Sequence, residues 1–397
     1  PGYLILGAGS TFTIDNSQRQ GGENDPAAKD DILITTSVTA SAGAEFVIDG
    51  LGAADGRADV SFATDASLTS ADFTLKNAEI RFDHASATDL SYSSVSDAAN
   101  FTLGTNSELI VDARNGNAVQ NYSIGNTLTL SGGLISFSDV QLTTDAGENA
   151  ILEVGHIDVT DSGFIGVSAT IDDNFSILDA DEQTFQQALI HYTSINGRNE
   201  LHAATSDQMD DSEITNSDGE TVAYVQWSGG FVDEADSPEN TIVMAYEVAK
   251  LKLAQNGNAD GLVLNATGHD SELSVLIGDA DEVANSGGGN ITFAGGNILV
   301  SQRNEYTGVT KVTSGGAATL GANNAFGNTR LLNVENGTVN FGGYSQTLGS
   351  VNVGSSGSIT GTSGTGMVTL GSDAYANGDS TILGQNADFD TNLTLAS

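Results

Sequence analysis

Cysteine is absent from this 397-residue chain, proline occurs three times, tryptophan once, and lysine and arginine together number 12. Zero cysteines suit a protein that crosses an oxidising compartment unfolded, where a disulfide would block export, although many cytosolic proteins lack cysteine too. So little proline beside 48 glycines, with few aromatics, points away from collagen and from ordinary disorder. The basic residues face 52 acidic ones, which leaves a formal charge of −40. Nucleic acid and anionic membrane surfaces repel such a polyanion, so neither is an expected partner. The same charge keeps a glycine-rich β-protein soluble. No apolar run of about eighteen residues occurs, so no transmembrane helix is expected.

What is present favours strands. Apolar content is ordinary at 39%, enough for a core. Helix formers are scarce, whereas Ser, Thr, Asn, Asp, Val and Ile are plentiful, so the chain is expected to be all-β. Across residues 1–170 short apolar triplets follow one another, among them Phe12-Thr-Ile14, Ile32-Leu-Ile34, Phe46-Val-Ile48, Phe73-Thr-Leu75 and Phe101-Thr-Leu103. A sandwich also has short strands at regular spacing. The recurring phrase of Gly and small residues before a triplet, as in Gly43-Ala-Glu-Phe-Val-Ile48, favours a parallel β-helix with side chains stacked in ladders. Between residues 290 and 353 the unit is plainest. Apolar pairs return at Ile291/Phe293, Val309/Val312, Leu332/Val334 and Val351/Val353, roughly every twenty residues. A unit this short buries its apolar face only against the next one. That is the logic of a β-solenoid.

The same stretch resembles a family. Asn304-Glu-Tyr306-Thr307-Gly308-Val-Thr310, then Ala318-Thr-Leu320-Gly321-Ala-Asn323-Asn324-Ala325-Phe326-Gly327, is similar to the passenger-associated repeat of bacterial autotransporters. The similarity continues through Phe341-Gly-Gly343-Tyr344-Ser345-Gln346-Thr347-Leu348-Gly349-Ser350-Val351. Ala318 and Phe326 stand where the repeat usually has Leu. Ala245 to Leu253 resembles, more weakly, the rung that commonly precedes such repeats. The resemblance implies a right-handed parallel β-helix, the passenger of an AIDA-type autotransporter, at a Gram-negative cell surface or released from it. The absence of an initial Met, a signal sequence and a barrel-like end makes an excised segment of a larger exported protein the expectation.

Residues 171–240 break the rhythm. The span Asp179 to Tyr192 places Phe185, Ala188, Leu189 and Tyr192 at helical spacing, yet Ala188 to Thr193 reads equally as a strand. Turn signals at Asn196-Gly197, Asn216 to Gly219 and Ser228 to Gly230 suggest one or two protruding β-hairpins over 195–240, between rungs at 1–194 and 241–397. Tyr224, Trp227 and Phe231, with Asp233, Glu234 and Asp236, are the candidate binding residues, because aromatics gather there off the regular rungs. Hairpin packing is the competing account of those aromatics.

No catalytic centre is expected. Gly354-Ser-Ser-Gly357 and Gly361-Thr-Ser-Gly364 miss the nucleophile elbow by one place. Asp161-Ser162-Gly163 resembles the nucleophile triplet of serine-protease autotransporters, but Thr160 and Phe164 do not match its flanks, and a turn is the ordinary explanation. His84, His156, His191, His202 and His269 show no metal spacing. Acidic clusters such as Asp207/Asp210/Asp211/Glu213 and Asp279/Asp281/Glu282 offer hard-cation ligands, yet none follows a calcium-loop pattern, so no metal or cofactor is assigned. Paired carboxylates on adjacent rungs would suit a glycan-active enzyme, but the basic partners of such sites are scarce. The expected function, supplied by the resemblance, is adhesion: self-association between cells, giving aggregation and biofilm, or attachment to a host or matrix glycoprotein. A glycan-active β-helix enzyme and a non-binding stalk are the alternatives.

Overall fold

The apolar triplets form strands, and the strands pair in parallel. A computed structural model of the chain describes residues 3–15, 32–50, 57–62, 66–68, 70–82, 96, 98–115, 118–144, 149–171, 177–178, 184–204, 211–234, 240–254, 260–268, 270–280, 288–313, 315–361, 366–370, 382–383 and 392–395. These residues are almost entirely strands and turns, so the all-β expectation holds. They belong to two compact units. One comprises Pro1–Asp173, Phe185–Met209 and Gly229–Ala245; the other comprises Asn174–Thr184, Asp210–Ser228 and Tyr246–Ser397.

In the first unit the chain visits its sheets in rotation. Thr11–Asp15 lies in one sheet, Ile32–Ile34 in a second and Ser37–Ala40 in a third; Glu45–Asp49 then returns beside Thr11–Asp15. The first sheet continues through Asp72–Lys76, Asn100–Leu103, Tyr122–Leu130, Leu152–Val159 and Phe185–Asn196. The second runs from Ile32–Ile34 through Ala58–Phe62, Ala78–Phe82, Glu108–Asp112, Gly133–Leu142 and Gly163–Ile171 to the short strand Leu201–Ala203 at its edge. Register keeps like with like: Phe12 pairs Phe46, Phe46 pairs Phe73 and Phe73 pairs Phe101. Their rings follow at 5.5, 6.0 and 5.3 Å between centroids, close to the spacing of adjacent strands. Phe46, Phe73 and Phe101 are fully buried, and each contributes about 2–3 kcal/mol of hydrophobic stabilisation. Because side chains alternate across a strand, the intervening Val47, Thr74 and Thr102 face outward.

The span Phe185–Asn196 is a strand, not a helix. Its partner Leu152–Val159 fixes this: Leu152 pairs Ile190 and Val154 pairs Tyr192, which buries apolar side chains against a sheet already formed. Tertiary pairing overrides the helical spacing. Further along, Ser212–Thr215 runs antiparallel to Thr221–Glu234, with Asn216 Oδ1 accepting from the Asp218 and Glu220 backbone N–H groups in the turn.

The second unit repeats the parallel plan with shorter intervals. One sheet runs Leu262–Asn265, Ile291–Ala294, Val309–Thr313, Leu331–Val334, Ser350–Val353 and Ile382–Leu383; another runs Asp270–Leu273, Asn297–Val300, Ala317–Leu320, Thr338–Asn340 and Ser358–Thr360. The register corrects one residue of the sequence reading. Thr310, not Val309, pairs both Ile291 and Leu332 and points inward, because alternation counted back from Val312 selects it. A buried threonine needs partners. Its Oγ1 meets Tyr306 Oη at 2.8 Å and donates to Thr329 Oγ1 at 3.0 Å, and Thr329 Oγ1 donates to the Gly308 carbonyl at 2.6 Å. Burial in this network raises the Tyr306 pKa. Two amide side chains do the same work on neighbouring turns. Buried Asn304 accepts from Ile277 N–H at 2.7 Å and donates to the Ala325 carbonyl at 2.6 Å. Buried Gln346 accepts from Phe326 N–H at 3.1 Å and donates to the Gly327 carbonyl at 2.9 Å. Gly308 sits where the backbones nearly touch: a Cβ there would lie 1.9 Å from the Gly289 oxygen.

Candidate functional site

Of the six candidate binding residues, Tyr224 and Trp227 belong to the second unit and Phe231 to the first. Val225 and Trp227 point inward along Thr221–Glu234, while Tyr224 and Gln226 are half-buried on the other face. Trp227 donates its indole N–H to Ser212 Oγ at 2.8 Å, so its position is set by packing within the antiparallel pair. The side chains of Asp233 and Glu234 and the whole of Asp236 lie outside the described residues.

Phe231 takes part in something else. With Ile165, Arg198, Leu201, His202, Ala203 and Ile242 it lines a cavity of about 410 Å³ in the first unit. The cavity opens where the second sheet of that unit ends, beside the three-residue edge strand Leu201–Ala203. The chain reaches it through Gly197, which turns at φ 68° between strand and edge; a Cβ there would meet the Val159 oxygen at 2.1 Å. That turn carries Arg198 to the cavity, where its Nη2 donates to the buried Tyr192 hydroxyl at 2.8 Å. The His202 ring lies 6.0 Å from the Phe164 ring on the neighbouring strand. Apolar side chains, an aromatic one, Arg198 and His202 therefore line a space of ordinary ligand-site volume. Sequence reasoning missed Arg198 and His202, since no spacing links them to Ile165 or Phe231; only the Asn196-Gly197 turn signal marked the place.

Three other groupings invite chemistry. On the outward face of the second sheet, Asp59 pairs Glu79, and Glu79 pairs Glu108. The Glu79 pKa is pushed up to about 7 by a hydrogen bond to Asp59, by partial burial and by the charges of Asp59 and Glu108, against the opposing pull of Arg57. Arg57 itself bonds Glu108. Carboxyl groups in direct hydrogen-bond contact are too close for glycoside hydrolysis, which needs about 5 Å or more between them to admit the sugar. On the first sheet, His156 Nδ1 lies 2.7 Å from Ser194 Oγ, and its Nε2 lies 3.3 Å from Asn196 Nδ2. With the amide donating to Nε2, the ring proton sits on Nδ1 and His156 donates to Ser194, the wrong polarity for a base. Finally, Asp279 accepts from the Gly289 and Thr307 N–H groups at 3.0 Å each and from Thr307 Oγ1 at 2.6 Å, stapling two backbone segments. Asp161-Ser162-Gly163 forms a bend whose Ser162 carbonyl accepts from Gly132 N–H.

No protein-family model and no solved structure matches the chain. It is similar to YuaQ of Escherichia coli K12. That protein, described as uncharacterised, is 27% identical over 276 residues, which cover 64% of this chain. The matched region spans 19% of YuaQ's own length, so YuaQ is much the longer protein.

Proposed function

We propose that the chain is part of the passenger of an AIDA-type autotransporter, each unit wound as a right-handed parallel β-helix, and that it acts at the bacterial surface as an adhesin rather than an enzyme. Rotation of successive strands through parallel sheets supports the winding, and parallel crossovers within one sheet are overwhelmingly right-handed. The repeat-like residues Asn304, Tyr306, Thr310 and Gln346 lace neighbouring turns together from inside, which gives that resemblance a structural reason. The observation that carries the functional reading is the outward face. Polar side chains join along it from strand to strand: Asn77 to Asp49, Asn100 to Asp72, and Asn352 to Asn333. Such ladders offer many weak contacts that multiply between cells displaying many copies.

Cells displaying the full-length protein are expected to settle faster than cells without it. Deleting residues 195–240 tests whether that segment holds the adhesive contact. Two surfaces of this charge repel across a Debye length of about 8 Å, so homotypic settling should need salt or divalent cations. Settling unchanged in low salt with chelator would remove homotypic contact from the reading, and no settling at all would leave attachment to a host or matrix glycoprotein.

A further inference from the structure

Asn-Gly is the dipeptide in which a backbone nitrogen most readily attacks the preceding side-chain amide, because glycine puts no Cβ in the way. It occurs at Asn115, Asn196, Asn256, Asn336 and Asn377, and both residues are described at Asn196 and Asn336. The two places differ. Gly337 is buried, and its turn is latched to neighbouring turns: Gly315 N–H donates to the Asn336 carbonyl and Ser358 N–H to the Gly337 carbonyl, at 2.9 Å each. Asn196 and Gly197 are both exposed, at the end of the strand Phe185–Asn196. Solvent has access to the reacting pair there, and the fold requires the glycine, since a Cβ would strike the Val159 oxygen.

Attack of the deprotonated Gly197 nitrogen on Asn196 Cγ forms the N–Cγ bond of a succinimide, and the side-chain nitrogen takes a proton from water and leaves as ammonia. Water then opens the ring. Aspartate results where the N–Cγ bond breaks, and isoaspartate where the main-chain amide bond breaks. No oxidant or reductant takes part, and the chain gains one negative charge.

His156 decides what the new carboxylate does. Its Nε2 lies 3.3 Å from Asn196 Nδ2, and its Nδ1 lies 2.7 Å from Ser194 Oγ. Beside the amide, Nε2 accepts and the ring proton sits on Nδ1. A carboxylate only accepts, so its bond to the ring requires the proton on Nε2 and leaves Nδ1 to accept from the Ser194 hydroxyl. Asp158, the register partner of Asn196, brings no donor, and Thr127, the register partner of His156, brings only a hydroxyl.

We propose that Asn196 is a site of spontaneous deamidation, and that the aspartate formed there moves the His156 ring proton from Nδ1 to Nε2 and so makes Ser194 the donor. The chemistry is independent of what the surface binds, and it does not rest on the adhesin reading.

The test is incubation of the purified 397-residue chain at neutral pH, followed by peptide mapping for a mass rise of about 1 Da and labelling of isoaspartate by an isoaspartyl methyltransferase. Residue 196 should convert at least about tenfold faster than residue 336 in the folded chain, since access and freedom from latching separate them. In urea the two rates should come within about threefold, because only the flanking sequence then differs. Asn196→Gln should abolish conversion at this position over the same period. For the ring, nitrogen NMR at mildly alkaline pH should find the His156 proton on Nδ1 in the native chain and on Nε2 in Asn196→Asp. Should Asn196→Asp fail to fold by circular dichroism, the aged native chain, with its deamidated fraction separated by anion exchange, gives the same reading. Conversion of residue 196 no faster than residue 336 in the folded chain overturns the site. A ring proton that stays on Nδ1 beside the carboxylate overturns the switch.

Discussion

Asn304 is the sharpest place to test how the second unit is held together. Its amide sits at 2% exposure, takes the Ile277 N–H on one side and gives a proton to the Ala325 carbonyl on the other. Asn304→Ala removes both partners at once and leaves a backbone donor and a backbone acceptor buried. Each orphaned group costs about 1–3 kcal/mol, so the local loss should be about 2–6 kcal/mol. Stacked repeats lose all-or-none cooperativity, which makes one global midpoint a blunt readout. Amide hydrogen exchange at Ile277 reads the loss directly. Protection should fall by between about thirtyfold and about twenty-thousandfold, since about 1.4 kcal/mol is a factor of ten. Asn304→Asp sharpens the result: protonated, its carboxyl restores both hydrogen bonds, whereas ionised it buries a charge and loses the donor. Its protection should therefore recover as pH is lowered. Half-exposed Asn297, which accepts from Thr319 Oγ1 at 3.2 Å, is the control. If Asn304→Ala lowers Ile277 protection by less than about threefold, or no more than Asn297→Ala does, the buried amide is not what joins these turns.

Two further outcomes follow from the same geometry. Gly308→Ala drives a methyl to 1.9 Å from the Gly289 carbonyl oxygen, so two adjacent backbones must separate. It should cost about 3 kcal/mol or more, read as early loss of second-unit structure in urea. Glu79 titrates with a pKa of about 7 against an ordinary value of 4.5. A carboxyl raised by folding stabilises fully below about pH 4.5, and that contribution disappears as pH rises through about 7. Stability should fall across that window, and Glu79→Gln should flatten the fall; an unchanged slope in the variant would show that the pair with Asp59 does not couple to folding.

Much of the fold was readable because its strands are short and separated by Gly, Asn and Ser turns. Phe12, Phe46, Phe73 and Phe101 were visible as recurring triplets, and the register joins those same residues. The reading slipped where periodicity alone could not choose a face. Val309 is the more apolar residue, but alternation from Val312 turns Thr310 inward, and a hydroxyl network inside the stack makes that threonine acceptable. Phe185 to Asn196 was ambiguous for a related reason: local spacing allowed a helix, and only the partner strand Leu152–Val159 decides. For Trp227 the sequence left binding and hairpin packing both open, and the structure adds that its indole N–H bonds Ser212. The cavity was not legible. Its lining comes from 165, 198–203, 231 and 242, brought together by pairing such as Gly163 with Leu201, which no linear spacing encodes.

The interval between paired residues is uneven in the first unit: Phe12 pairs Phe46, Phe46 pairs Phe73 much sooner, and Ile157 pairs Ile195 only after a long excursion. Register survives because the long intervals fall between paired strands; within them only single-residue irregularities occur, at Ile124/Thr127 and Phe137/Val140. Insertions and deletions at those exits are therefore nearly neutral to the core, while a single-residue slip inside a strand turns every side chain over. A lineage carrying this chain can lengthen, trim or exchange its loops and so vary what its surface presents, without renegotiating how the protein folds.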